Sequence, residues 1–378
     1  MLLDLSYLSY PLPPDIQRLY EAGDFARMDR VIRLRLDDPR VPEALKARLR
    51  VQTELAYEIL RAYPYTQAQM LEILQSHVKD FEEEELETLR DDGTLDWRYV
   101  NGEVRFKDNA LSGLLKTRAE YAARATDPEV KNGAKESARQ LHEIIAKMKA
   151  NGSVHARFEL HEQLTIRSDR LTPGETLRVH LPMPIVGAQV KSAALLGASH
   201  PVAFLAPEDE PQRTIYFELP YQPGMTVSAD VAYEIDAPYQ QPHARDVYAE
   251  QPVFDTEEQP PHVVFTPYLR ALAKEIVGDE TNALLKARKI YDFITTQAVY
   301  RFMPPYLTVT NIPEYFLSGL RGDCGVQAIT FVTLCRLCGV PAQWQSGLYT
   351  KPNSAGHHDW ARFYVAPFGW LFADCSFG

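Results

Sequence analysis

The chain has 378 residues, with 40 Lys and Arg against 51 Asp and Glu, and 45% of its residues are hydrophobic. Single cores stop growing at roughly 250–300 residues, so two or three domains are expected. The net charge of −11 argues against a nucleic-acid footprint, and no run approaches the roughly 18 apolar residues of a membrane span.

The first fourteen residues lack a basic n-region and a sustained apolar run, so a secretory signal is not expected unless one preceded them. Residues 14 to about 150 read as helical. Ile16, Leu19, Tyr20, Phe25, Met28 and Ile32 recur near helical spacing, and periodic runs follow at 42–63 and 66–89. One hairpin interrupts them. Trp97–Val100 and Glu103–Phe106 flank Asn101-Gly102, a pair suited to a turn needing positive φ twice. The glutamates after Phe81 read as a solvated face. A last helix is expected over 134–150, stopped at Asn151-Gly152.

Character then changes. Val154, Ala156, Phe158 and Leu160 alternate with polar residues, as do Leu177, Val179 and Leu181, and Val227, Ala229, Val231, Tyr233 and Ile235. Period-two runs between Pro/Gly turns predict a small antiparallel sandwich over 153–236. Proline density and missing periodicity over 237–262 predict an extended connector. The fold class expected is multidomain α+β: a helical domain with one hairpin (1–152), a β-sandwich (153–236), a linker, and a last domain over 263–378.

The last domain carries the chemistry. Helices are expected over 267–277 and 282–296. Gly322-Asp323-Cys324 then opens a helix running to Cys338 and stopped by Gly339-Val340-Pro341. A cysteine there meets free backbone N–H groups and the positive end of the helix dipole, which favour the nucleophilic thiolate. Asp323 reads as the N-cap. Strands are expected at 342–349, from His357-His358 to Val365, and over Trp370–Asp374, with a loop at 350–356 and a turn at Pro367-Phe368-Gly369. An antiparallel pair closed by that turn would bring His358 beside Asp374, so that the carboxylate holds the imidazole tautomer.

These residues resemble the transglutaminase-like superfamily: Gly322, Cys324, Ala328, Gly339-Val340-Pro341-Ala342, His358-Asp359-Trp360, Gly369-Trp370 and Asp374, over about 262–378. The resemblance implies a papain-like cysteine fold, a Cys324–His358–Asp374 triad and acyl-transfer chemistry on a protein or peptide substrate, by hydrolysis or transamidation. The His-x-Trp register selects His358 over His357. One oxyanion donor is the backbone N–H of Cys324; for the second, a side chain upstream of the cysteine, Tyr300 is chosen over Tyr306 and Asn311. Such folds usually continue past the point, just after Asp374, where this chain stops, so further strands are expected. No metal or organic cofactor is expected.

Cys335-x-x-Cys338 invites a zinc reading, but one pair on an apolar helix face suits core packing better. The tryptophans Trp344, Trp360 and Trp370 read as core or cleft wall. Four cysteines in so long a chain, all beyond residue 320, suggest a reduced, cytoplasmic protein. The other class of function is a catalytically silent scaffold that binds peptides in the same cleft; thiol reactivity separates the two.

Overall fold

A computed structural model describes residues 4–167, 171–352 and 354–377, with side chains of 130–135 excepted. Residues 1–3, Asn353 and Gly378, which enter the sequence reading, lie outside the described residues. The chain falls into two compact units. One comprises residues up to 134, 244–345 and 360 onward; the other comprises 135–243 and 346–359.

The first unit begins with α1 (Pro14–Glu21), α2 (Phe25–Asp37) and α3 (Glu43–Ala62). Their apolar stripes meet through Ile16, Phe25, Met28, Ile32, Leu49 and Ile59. After β1 (Tyr65–Thr66), a capping box of Thr66 and Gln69 opens α4 (Gln67–His77), and α5 (Glu83–Asp91) follows. The expected hairpin forms from β2 (Trp97–Val100) and β3 (Glu103–Phe106), with Asn101 and Gly102 at φ 52° and 89°. Next come α6 (Ala110–Thr117) and α7 (Ala119–Arg124), closing a second core around Met70, Leu74, Leu86, Phe106 and Leu114.

The helix α8 (Pro128–Asn151) starts six residues before its expected position, because Pro128 supplies the fixed φ that suits a first helical turn. It ends before Gly152, at φ 77°. It also carries the chain from one compact unit into the other at residue 134, so the division read at 152/153 does not coincide with the observed one.

The second unit holds β4 (Ser153–Thr165), β5 (Thr176–Pro182), β6 (Val190–Ala198), β7 (Phe204–Leu205), β8 (Thr214–Pro220) and β9 (Thr226–Pro238). They form two antiparallel sheets, ordered β4-β9-β6 and β5-β8-β7. Val179, Leu181, Ile215 and Phe217 from one sheet bury against Val227, Ala229 and Val231 from the other, the sandwich that alternation predicts.

The remainder returns to the first unit. The connector is irregular, as its prolines imply, but it is not a free spacer. The Ala366 N–H donates to Gln251 Oε1 (2.8 Å), Arg336 Nη1 donates to the Glu257 carbonyl (3.1 Å), and Phe254 meets the rings of Tyr364 and Trp370 edge-on. Polar side chains and one aromatic fasten it where composition suggested only extension. Then follow α9 (Pro267–Val277), α10 (Ala283–Gln297), β10 (Val299–Tyr300), α11 (Ile312–Gly319), β11 (Arg321–Gly322), α12 (Cys324–Leu337), β12 (Ala342–Lys351), β13 (Ser354–Val365) and β14 (Gly369–Ala373). The order β12-β13-β14 makes the last sheet. The loop expected at 350–356 is shorter: Thr350 and Lys351 end β12, and Ser354, Ala355 and Gly356 begin β13, with Pro352 in the turn. Their far ends, 346–359, belong to the second unit.

Candidate active site

The helix α12 is the centre of the last core. Val326, Phe331, Val332, Leu334 and Cys335 are all 1% exposed or less, so it is held on every side and its first residue is fixed in space. Asp323 is the N-cap, accepting the Val326 N–H at 3.2 Å. Tyr306 donates its hydroxyl to the same carboxylate oxygen. Burial pushes the Asp323 carboxyl above its usual range, and the Tyr306 hydrogen bond pulls it back.

Gly322 has a steric reason. A Cβ there would stand 2.7 Å from Val326 Cγ1 and 2.9 Å from Phe316 Cδ2. Only the missing side chain lets β11 cross the start of α12 so closely. That approach leaves room for a parallel partner: β10 pairs with β11, Tyr300 opposite Gly322, and the Arg301 N–H donates to the Gly322 carbonyl at 3.1 Å. The side chain of Gln327, buried, donates to the same carbonyl at 3.0 Å.

This pairing brings Tyr300 to the thiol. Its phenol lies near enough to Cys324 for that residue's charge and hydrogen bonding to act on it. Burial first, then negative charge on Cys324 and Asp323, pushes the phenol well above its ordinary range, so at neutral pH it keeps its proton and remains a donor. The rivals have other duties: Tyr306 serves Asp323, and Asn311 caps α11 by accepting the Glu314 N–H at 3.0 Å.

Sequence reasoning missed Lys116. It lies on α6, far from the cysteine in sequence, yet its ammonium sits 3.4 Å from the centroid of the Tyr300 ring. No local motif marks it, since the contact depends on how the N-terminal helices pack on β10. Arg301 makes a second tie between these regions, donating to the Gly93 carbonyl at 3.1 Å.

Asp374 directly follows β14, whose paired register with β13 ends at Ala361↔Ala373. It accepts the Ser376 N–H and hydroxyl at 3.1 and 2.8 Å. His358 lies on β13 within the second compact unit, half-buried and edge-on to Tyr349, while His357 is exposed. Of the residues singled out by sequence, Cys324 and Tyr300 are therefore neighbours across the β10–β11 pairing, and Asp374 and His358 are described each within its own unit.

The other cysteines divide. Cys335 is fully buried, and burial raises its thiol well above the ordinary range. Cys338, expected in the core with it, is only half-buried, because it is the C-cap where α12 ends. Trp344 reaches the surface, whereas Trp370 lies under the Arg362 guanidinium, 4.5 Å from its ring centroid. A separate cleft of about 840 Å³ in the first unit, lined by Tyr63, Arg98, Tyr268 and Tyr315, does not include Cys324.

No curated protein matches the sequence. Among solved structures, a protein from Cytophaga hutchinsonii, provisionally described as a cysteine protease, is similar at 18% identity over 59% of this chain and 78% of its own, with a TM-score of 0.46. The periplasmic domain of TgpA from Pseudomonas aeruginosa is similar at 16% identity over 58% of this chain and 82% of its own, with a TM-score of 0.30. The same domain bound to ethylmercury gives 17%, 54%, 73% and 0.29. Residues 270–375, the stretch that holds Cys324, His358 and Asp374 and excludes both the N-terminal helices and the sandwich, match the family model of the transglutaminase-like superfamily.

Proposed function

We propose that the protein is a cysteine enzyme that opens amide or peptide carbonyls through a thioester, with Cys324 as nucleophile, His358 as base and Asp374 as the carboxylate that orients it. The observation that carries this reading is the setting of Cys324: first residue of a buried, capped helix, with Tyr300 brought beside it by the β10–β11 pairing. The match of residues 270–375 supports it.

The proposed cycle is balanced. His358 takes the thiol proton as sulfur adds to the carbonyl carbon. The resulting oxyanion accepts from the Cys324 N–H and from Tyr300. Collapse breaks the C–N bond, the amine leaves with the proton held by His358, and a thioester remains. Water, or a second amine, then adds to the thioester with His358 again as base; this releases acid, or a new amide, and restores the thiol.

Substrate class belongs to the same proposal: a protein or peptide carboxamide. So does a cytoplasmic setting, which rests on the small number of cysteines, all of them free thiols. No helix of the described residues is long and apolar enough to cross a membrane. The test is a peptide-amide library incubated with and without an added primary amine and read by mass. Loss of ammonia or chain cleavage that disappears in Cys324→Ala supports the proposal. Unchanged peptides that nevertheless bind the protein would replace it with a silent peptide-binding scaffold.

A further inference from the structure

The N-terminal helices lie outside the family match, yet one of their side chains reaches the thiol site. Gly113 and Lys116, three residues apart, share a face of α6. A Cβ at Gly113 would stand 3.6 Å from Phe302, so that face lies close on the residues after β10. The Lys116 ammonium is 3.4 Å from the Tyr300 ring centroid and 5.7 Å from that of Phe302. Tyr300 in turn is paired opposite Gly322, two residues before Cys324, whose charge acts on its phenol.

Charge fits the geometry. Burial pushes Lys116 below the ordinary lysine range, and the negative charges that oppose the push are those of Cys324 and Asp323. The other groups facing this cluster are the Tyr306 hydroxyl, which donates to Asp323, and Lys107, whose charge also acts on Asp323. Lys116 as a whole is exposed, so its field is open to screening by salt.

We propose that Lys116 is a positioning residue of the thiol site. Its ammonium, seated on the face of Tyr300, favours the Cys324 thiolate and sharpens the Tyr300 hydroxyl as a donor to the oxyanion. The N-terminal helices thus complete a site that residues 270–375 begin. The inference rests on Cys324 being the nucleophile.

The test uses the full chain. Iodoacetamide labelling of Cys324, mapped by peptide mass, is followed from about pH 5 to about pH 9 in low and high salt, for wild type, Lys116→Met, Lys116→Gln, Lys116→Arg and Cys324→Ala. Both neutral variants should label roughly 3- to 10-fold more slowly near neutral pH, with the midpoint of the profile moved up by the corresponding half to one unit. Lys116→Arg should restore most of the rate, the gap should narrow in high salt, and melting temperatures should stay together. A structural clip alone would leave the midpoint and salt dependence unmoved, and that result overturns the proposal. If wild-type Cys324 labels no faster than buried Cys335, the nucleophile reading itself falls. If Cys324 is fast and both neutral variants match wild type, only the role of Lys116 falls.

Discussion

Gly322→Ala tests whether close packing aims the cysteine. The added methyl would lie 2.7 Å from Val326 Cγ1 and 2.9 Å from Phe316 Cδ2, where ordinary contacts begin at 3.4 Å. The deficit is about half an ångström or more against two side chains that are both fully buried, so neither can swing aside. Overpacking of this kind costs roughly 1–3 kcal/mol. At about 2–4 °C per kcal/mol for a unit of this size, the melting temperature should fall by roughly 2–12 °C. The displaced atoms belong to the first turn of α12, so labelling of Cys324 should slow as well, by more than the unfolded fraction explains. Gly319→Ala is the matched control: it lies in α11 with open space around its Cβ position, and should be neutral or slightly stabilising. Calorimetry beside timed alkylation checks both. If Gly322→Ala melts with wild type and labels at the wild-type rate, the packing argument is refuted.

Tyr300→Phe removes the proposed oxyanion donor while keeping the ring under Lys116. Turnover on any active amide should fall by roughly 10²–10³-fold, with the melting temperature held; a change under threefold would leave the Cys324 N–H as the working donor. His358→Ala should abolish turnover as fully as Cys324→Ala, the double variant being no worse, whereas Asp374→Asn should retain more; measured rates for all four decide this. Glu162, on β4, has both carboxylate oxygens buried without a hydrogen-bond partner among the described residues, and burial pushes its acid up to about 7. Its folded-state pKa lies above the unfolded one, so its contribution is fully present below about pH 4.5 and lost as pH rises through about 7. Glu162→Gln should therefore raise stability at pH 8 by on the order of 1 kcal/mol after allowance for solvent screening, and flatten the melting profile across that window; equal melts at pH 8 would contradict this.

The cysteine helix was legible because its signals are local. Gly322, Asp323 and the Gly339-Val340-Pro341 stop each act within a turn or two of their own backbone, and the observed bounds of α12 follow them. The hairpin at Asn101-Gly102 and the alternating strands of the sandwich were legible for the same reason. What composition misjudged was decided by partners distant in sequence. Residues 350–356 carry Pro, Ser and Gly, yet sheet pairing takes Thr350, Lys351 and Ser354 to Gly356 into strands. The proline-rich connector is fastened by Gln251, Phe254 and Arg336. That Tyr300 lies nearer the cysteine than its spacing in sequence suggests was visible only once the parallel β10–β11 register set it opposite Gly322. Lys116 gave no signal at all, since an ammonium on a distant ring leaves no spacing in the sequence.

The central claim is that sulfur of Cys324 becomes acylated and that His358 drives it. The direct measurement is intact mass and peptide mapping of the protein quenched in acid during turnover of an activated amide or ester. The account predicts an acyl adduct on Cys324 in wild type, an adduct that accumulates more slowly by orders of magnitude in His358→Ala, and none in Cys324→Ala. Turnover without any adduct on Cys324, or an adduct formed at the wild-type rate in His358→Ala, would contradict it.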